Sequence, residues 1–330
     1  MSGGEARPLA DARWLTAPES LRVLRALQAD GRPARFVGGC VRDTLLDPAL
    51  DPSDLDLATA EPPERSMALL RDAGIHVVPT GIEHGTVTAH IGRHGFEITT
   101  LRRDVATFGR HAEVAFSDDF VEDAARRDFT INAMSCDGEG RLYDPFGGHA
   151  DLLAGRVRFV GEAVRRIRED YLRILRWFRF LARFGRGEPD AEALAACAGE
   201  ADGIAILSGE RVQKELLALL RLTGAPAAVA LMQTTGVLSW ILPQPAEAAA
   251  LARLADVGQT GDAILGLAAM LRAAGAPDAT AVAATVAAVA RRRAAAAAPR
   301  HGRAAAARLL TLQRIAARSM SSATRPTRIC

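Results

Sequence analysis

Two aspartates one residue apart, Asp54 and Asp56, stand in the run DLDLAT, whose polar and apolar residues alternate with the period of a strand. Side chains two apart on a strand share a face, so the two carboxylates point the same way and repel unless a divalent cation lies between them. Oxygen-only ligation with room left for phosphate oxygens suits Mg²⁺. Upstream runs Gly38-Gly39-Cys40-Val41-Arg42-Asp43. A glycine pair such as Gly38 and Gly39 lets backbone N–H groups approach a triphosphate, and Arg42 can neutralise it. A glycine pair alone is an ordinary turn, and two acids alone are a solvated edge. Joined at this spacing they describe a seat for a metal-chelated triphosphate.

Other chemistries fit less well. No GxGxxG follows a strand with the later acid that a dinucleotide site requires, which excludes a Rossmann oxidoreductase. The 7 histidines show no metal-ligand spacing, and His84, His111 and His149 read as loop or hydrogen-bonding residues. Cys40, Cys136, Cys197 and Cys330 lie far apart and form no CxxC. Neither a zinc knuckle nor a disulfide framework is expected, and this usage fits a reducing cytoplasm.

The candidate residues need a frame. ARFVGGCVRD reads as a short apolar run, a turn and a helix start, while HGTVTAHI and GFEITTLR alternate like DLDLAT and RLYDPFGG supplies turn chemistry. SLRVLRALQADG predicts a helix over 20–31, with Ser20 as N-cap and Gly31 as its stop. From residue 151 the strand signals vanish. Residues 162–184 form one long helical pattern, with Ile167, Tyr171, Ile174, Leu175, Phe178 and Leu181 on a common stripe. Further helices are expected over 189–200, 208–222, 225–235 and 245–256. The fold class is therefore α+β. A head with a mixed sheet and helices spans 1–150, an all-α neck and body spans 151–260, and 261–330 is a partial tail. Within that tail, 291–330 is low-complexity and reads as disordered, because alanine runs have helix propensity but too little side chain to build a core.

Composition narrows the partners. The chain has 330 residues, 49% apolar and 24% charged, which is globular rather than disordered. No run before the Ala-rich C-terminal region is long and apolar enough for a membrane span, and the N-terminus lacks the apolar core of a signal peptide. The net charge of +2 hides an asymmetry: the last forty residues hold ten arginines and no acid, so residues 1–290 carry 31 basic against 39 acidic side chains, net −8. Nucleic acid would have to bind a local patch. Lys214 is the only lysine, so the arginine and alanine excess reads as a coding bias and names no partner by itself.

On these residues a resemblance rests. GGCVRD followed by DLDLAT resembles the first motif of the nucleotidyltransferase superfamily, in its branch of class II CCA-adding enzymes and bacterial poly(A) polymerases. The match continues in order through TGIEHGTVTAH, FEITTLRRD, FGRHAEVAF, ARRDFTINAM, LYDPFGGHADL and VRFVGEAVRRIREDYLRILRWFRF, over roughly residues 34–245. The resemblance implies a nucleotidyltransferase head in which Asp54 and Asp56 hold Mg²⁺ for nucleotidyl transfer. Glu97 is either a third carboxylate near the metal or a salt-bridged strand residue. The run from Arg126 to Ala133 resembles the motif that contacts ribose and phosphate. There Arg127 would reach triphosphate oxygens, while Asp128 and Asn132, four apart on one helical face, would hydrogen-bond the sugar. Glu169-Asp170-Tyr171-Leu172-Arg173, with Arg176 and Arg179, resembles the motif that reads the base. An acceptor at Asp170 and a forked donor at Arg173, one turn on in the long helix, match the edge of cytosine or adenine. Residues 103–113 resemble the family's flexible loop, with Phe108 where many members carry an acid. Glu210 to Glu215 resembles a helix-stabilising motif.

The activity so implied is template-independent addition of C, C and A to the tRNA 3′ end from CTP and ATP, with release of pyrophosphate. Poly(A) polymerase and partial CC- or A-adding activity share the same head and stay open, although the loop region argues against a CC-only enzyme. A catalytically impaired RNA-binding remnant is the reading from another class, raised by the abnormal C-terminus. Intact Asp54, Asp56, Asp170 and Arg173 favour the enzyme. The implied partners are tRNA, CTP and ATP, with neither membrane nor DNA, in the cytoplasm.

Overall fold

Strand β1 (Ala34–Val37) runs antiparallel to β2 (Asp54–Thr59), and the helix Gly39–Leu46 connects them. The chain continues through β3 (His76–Gly81), β4 (Thr86–Ile91), β5 (His94–Thr100), β6 (Arg102–Phe108), β7 (His111–Phe116), β8 (Ser135–Cys136) and β9 (Leu142–Tyr143). Seven of these form one sheet in the order β3-β4-β5-β2-β1-β8-β9, and β6 and β7 form a separate ribbon. The β2–β5 pair is parallel, whereas the neighbouring ladders are antiparallel, so the sheet is mixed as expected. The computed structural model describes residues 7–273 apart from 53, 93, 109–110 and 243–245. The expectation of disorder over 291–330 lies outside the described residues.

The described residues fall into two units. One runs up to Arg173 and takes in Phe184–Ala196; the other comprises Ile174–Arg183 and the residues from Cys197 onward. In the first, alternation drives β2 inward on one side: Leu55 and Leu57 are buried beside Phe36 of β1 and Phe96 and Ile98 of β5. Trp14 meets Phe36 edge-on at 4.9 Å and donates its indole N–H to Thr44 Oγ1 at 2.8 Å, satisfying its one polar atom within the core. The second unit is helical: Gly209–Leu219, Ala225–Thr234, Val237–Ile241, Ala249–Asp256 and Ala263–Ala273 bury Leu216, Val229, Met232, Val237, Leu267 and Met270.

Several elements differ from the sequence expectation. The first predicted helix is Pro18–Leu27, with Ala17 at its N-cap and Ser20 buried inside it. Pro18 sets the start, because its ring fixes a helical φ where a missing N–H costs nothing. Residues 162–184 are two helices, Ala163–Glu169 and Leu172–Phe184, broken at Asp170, whose φ of −157° and ψ of 104° are extended. The region resembling a flexible loop is the β6–β7 ribbon, paired from Arg102↔Phe116 to Phe108↔His111.

One close approach fixes the loop that carries Asp128 and Asn132. Helix Gly148–Ala154 begins where Asp144 accepts from the Gly148 and His149 N–H groups at 2.7 and 2.9 Å. A Cβ on Gly148 would stand 2.1 Å from the Thr130 carbonyl oxygen, a backbone atom that cannot swing aside. Asp151 of the same helix accepts the Thr130 hydroxyl at 2.6 Å. Gly148→Ala is therefore expected to cost about 1–3 kcal/mol as overpacking. Urea unfolding checks this, and an unchanged midpoint would show that the two backbones are not in contact.

Candidate active site

The register of β2 on β5 sets Asp54 opposite Gly95 and Asp56 opposite Glu97. Residues opposed in a ladder present side chains to the same face, so Asp54, Asp56 and Glu97 converge as three carboxylates. Asp54 and Glu97 are exposed and Asp56 is half-buried. Burial, then the charges of Glu97 and Asp54, push the Asp56 carboxyl up to about 6, against the opposing pull of Arg127 and Arg42. Crowded hard oxygen donors, one of them reluctant to ionise unaided, fit a divalent cation. Among the described residues no group of three or more acid, histidine or cysteine side chains is placed to hold a metal ion by itself. The strands thus offer part of a coordination shell and leave the remainder to phosphate and water oxygens.

Gly38 joins this cluster to β1. Its φ is +71°, which favours glycine, and a Cβ there would lie in ordinary contact, 3.6 Å, with both Asp56 Oδ2 and Arg127 Nη1. Gly39 opens the following helix, with Arg42 Nη2 3.7 Å from where its Cβ would stand. Arg42, expected at the triphosphate, is 6% exposed and engaged inward. Its Nε donates to Asp43 at 2.7 Å, its Nη1 donates to Asn132 Oδ1, and its guanidinium lies 4.6 Å over the Phe184 ring.

Asp128 and Asn132 are brought together, though not on a helical face. Phe129 is extended, with φ −122° and ψ 149°, and Thr130–Asn132 is a single 3₁₀ turn. The cause is an antiparallel bridge between Phe129 and Phe159, in which Thr130 N donates to Arg158 O at 3.0 Å and Val160 N to Asp128 O at 3.1 Å. Asn132 Nδ2 nevertheless donates to Asp128 Oδ1 at 2.9 Å, an oxygen that also accepts from Phe129 N at 2.9 Å.

Asp123 is a residue that sequence reasoning missed. It lies in helix Phe120–Ala125, which Asp119 caps by accepting from Val121 N at 2.7 Å. Asp123 is buried and takes forked donors from Arg126 at 2.6 and 2.8 Å and from Arg127 at 3.1 and 3.3 Å. Burial would raise its carboxyl, but Arg127 and Arg126 outweigh burial and hold it below its ordinary value. The legible signal was spacing, since Arg126 and Arg127 follow Asp123 by three and four residues.

Between Glu169 and Arg173 the helix break reorganises the side chains. Asp170 Oδ1 accepts from Leu172 N at 3.2 Å and so starts the second helix, as acids commonly do at helix starts. Arg173 Nη1 donates to Glu169 Oε2 and to Arg166 O, each at 2.7 Å, and its Nη2 donates to Arg126 O at 3.2 Å. Arg176 and Arg179 belong to the other unit. There Arg179 Nε donates to buried Glu215 at 2.5 Å and Arg176 Nη1 stands 3.9 Å from it, both beside the Phe180 ring. The first unit therefore gathers Asp54, Asp56, Glu97, Gly39, Arg42, Arg127, Asp128, Asn132, Asp170 and Arg173 without them.

Comparison with known proteins identifies what the chain is similar to. Residues 34–158 match the poly A polymerase head domain, and residues 188–248 match the probable RNA and SrmB-binding site of polymerase A. The chain is 47% identical over 206 residues to the mitochondrial CCA tRNA nucleotidyltransferase 1 of Mus musculus, covering 61% of this chain and 47% of that protein. It is 37% identical over 227 residues to the CCA-adding enzyme of Geobacillus stearothermophilus, covering 68% and 54% respectively. The crystal structure of the Bacillus stearothermophilus CCA-adding enzyme in complex with CTP superimposes with a TM-score of 0.61 at 34% identity, covering 68% of this chain and 54% of that one. A tRNA nucleotidyltransferase complexed with a primer tRNA and an incoming ATP analog gives a TM-score of 0.63 at 26% identity, covering 75% and 74%. The chain spans about half the length of the curated relatives it matches.

The strain at Asp56 has a measurable sign. Its carboxyl is held near 6 in the fold against an ordinary 3.8, so between those values the folded state binds more protons than the unfolded one. The stability this group contributes is present below about pH 4 and lost as pH rises through 6. Without divalent cations, Asp56→Asn should therefore melt higher than the wild type at pH 7.5, with the advantage gone near pH 4. Added divalent cation should shrink or reverse the gap at pH 7.5 by stabilising only the wild type. Melting curves that differ equally at both pH values would remove the like-charge explanation.

Proposed function

The chain belongs to the family of class II CCA-adding enzymes and bacterial poly(A) polymerases, and from that premise we propose that it adds C, C and A without a template to the 3′ end of tRNA, using CTP and ATP. The observation that carries this reading is the convergence of Asp54, Asp56 and Glu97 beside Gly38 and Arg127, with Asp170 and Arg173 in the same unit. In the reaction proposed, the RNA 3′-hydroxyl attacks the α-phosphorus of the nucleotide and pyrophosphate leaves. Mg²⁺, held by Asp54 and Asp56, would offset the charge that develops on the reacting phosphate.

The protein's own groups divide the remaining work. The Nη1 of Arg127, on the Gly38 side of a guanidinium anchored by Asp123, is the donor we assign to the triphosphate, and Gly39 lets backbone come close. Asp128 and Asn132, already bonded to each other, are assigned to the ribose hydroxyls, and Arg42 holds Asn132 in place from below. An ionised Asp170 can only accept, which suits the exocyclic amine shared by cytosine and adenine. Arg173 can only donate, which suits their ring nitrogens. Uracil and guanine would set a carbonyl against Asp170 and leave buried polar groups mismatched. Arg176 and Arg179, tied to Glu215, are assigned to holding their helix. The buried thiols of Cys40, Cys136 and Cys197 suit the reducing cytoplasm in which we place the protein.

The test is incubation of tRNA lacking its CCA end with Mg²⁺ and with CTP, ATP or both, resolving products by length. Complete CCA ends only when both nucleotides are present support the reading; long A tracts from ATP alone indicate a poly(A) polymerase. No addition under any condition indicates a remnant. Asp54→Asn should lower kcat at least about 10³-fold while leaving the circular dichroism spectrum unchanged, since several kcal/mol of charge stabilisation disappears. Near-normal turnover at saturating Mg²⁺ would remove Asp54 from the metal. Arg173→Ala should narrow the kcat/KM ratio of CTP over UTP more than it slows CTP addition. A uniform fall for all four nucleotides would make Arg173 a phosphate ligand or a structural residue.

A further inference from the structure

Arg166 stands outside every role assigned above, yet it occupies the joint between the two halves of the site. It lies in the helix Ala163–Glu169 with 7% of its side chain exposed. Its Nη1 pairs with Glu169 Oε2 at 2.5 Å, while its Nη2 donates to the backbone carbonyls of Arg126 and of Arg127, the latter at 3.1 Å. Arg173 uses two of the same acceptors, Glu169 Oε2 and the Arg126 carbonyl. A third link is direct, because the Arg166 carbonyl accepts from Arg173 Nη1 at 2.7 Å.

The consequence is geometric. The Arg126–Arg127 segment is gripped by its side chains on Asp123 and by its carbonyls on Arg166. Arg127 Nη1 faces the Gly38 and Asp56 side of the site. A change in the setting of Arg173 therefore passes to the Arg126–Arg127 backbone through the Arg126 carbonyl, which Arg173 and Arg166 share, and through the Arg127 carbonyl, which Arg166 holds. A guanidinium can hold one carboxylate and two carbonyls in a plane, whereas an ammonium is a point charge that cannot span all three. We propose that Arg166 is a positioning residue that sets the angle of Arg173 and couples base choice to the alignment of Arg127, and thereby determines nucleotide specificity. This rests on the assignment of Asp170 and Arg173 to the base.

The variants are Arg166→Lys, which keeps the charge on Glu169, and Arg166→Met, which removes it. Each is measured by equilibrium binding of CTP and UTP and by kcat/KM for all four nucleotides on tRNA lacking CCA. Arg166→Lys should retain the wild-type melting temperature and bind CTP within a few-fold, while its preference for CTP over UTP drops about fivefold or more. Arg166→Met should lose at least as much preference. In an Arg173→Ala background, Arg166→Lys should change the preference no further, because it acts through Arg173. A wild-type preference in Arg166→Lys, or an effect that persists undiminished in Arg173→Ala, overturns the inference; an unstable Arg166→Met leaves that decision to the lysine variant and the double mutant. Failure of the underlying assignment looks different: Arg173→Ala alone would then leave the preference for CTP over UTP at its wild-type value.

Discussion

Like-charge repulsion among Asp54, Asp56 and Glu97 is the interaction that the rest of the first unit must accommodate. The parallel register of β2 on β5 forces Asp56 and Glu97 onto one face, and the two-residue period of β2 adds Asp54 to them. A fold selected for stability alone would place an amide or a hydroxyl at Asp56, whose carboxyl is raised to about 6 by burial and its neighbours. The surrounding structure offsets the repulsion only in part. Arg127 and Arg42 lower the same carboxyl, and both are themselves tethered, one to Asp123 and the other to Asn132 and Asp43. The residual imbalance is one that a bound cation would relieve.

The arginines around this cluster show how a site with little lysine is built. Arg42, Arg126, Arg127, Arg166 and Arg173 each make two or more charge-assisted or carbonyl contacts, which a planar fork permits. Their partners are shared: Asp123 serves Arg126 and Arg127, Glu169 serves Arg166 and Arg173, and the Arg126 carbonyl serves Arg166 and Arg173. Shared acceptors make the network cooperative, because displacing one guanidinium changes the geometry offered to the next. In such a network an outward-facing donor is aimed by the inward contacts of its neighbours.

How much of this was legible depended on the range of the interaction responsible. The DLDLAT alternation and the glycine pair announced β2 and its turn, since strand period and positive φ are local properties. The pairing of Asp56 with Glu97 was not legible as a fact, because register is a long-range property and Glu97 alone could equally be a salt-bridged strand residue. Asp128 and Asn132 were placed correctly as neighbours for the wrong reason: their spacing suggested a helix, whereas the bridge to Phe159 pulls Phe129 out straight. Arg42 looked like a phosphate ligand from its place after two glycines. Its inward course is decided by Asn132 and Phe184, ninety and more residues away in sequence. The helices of the second unit were the easiest, because glycine and proline punctuate them and their cores repeat every three to four residues.

The break at Asp170 is the feature that composition and periodicity most plainly concealed, and it has a physical rationale. The stripe from Ile167 to Leu181 is continuous, so a single helix would bury it equally well. In a continuous helix, however, Asp170 and Arg173 would be a turn apart with an angular offset of about 60°, and the Asp170 backbone would be held in helical hydrogen bonds. Extending Asp170 alone ends one helix at Glu169 and lets its side chain open the next by accepting from Leu172 N. The two helix ends thereby place Glu169 and the Arg166 carbonyl on Arg173 from one side, while the Arg126 carbonyl approaches it from the preceding loop. A straight helix could still pair Glu169 with Arg173 at i,i+4, but its Arg166 carbonyl would be engaged by the Asp170 N–H. The interruption exchanges a few helical hydrogen bonds for an arginine fixed at three points.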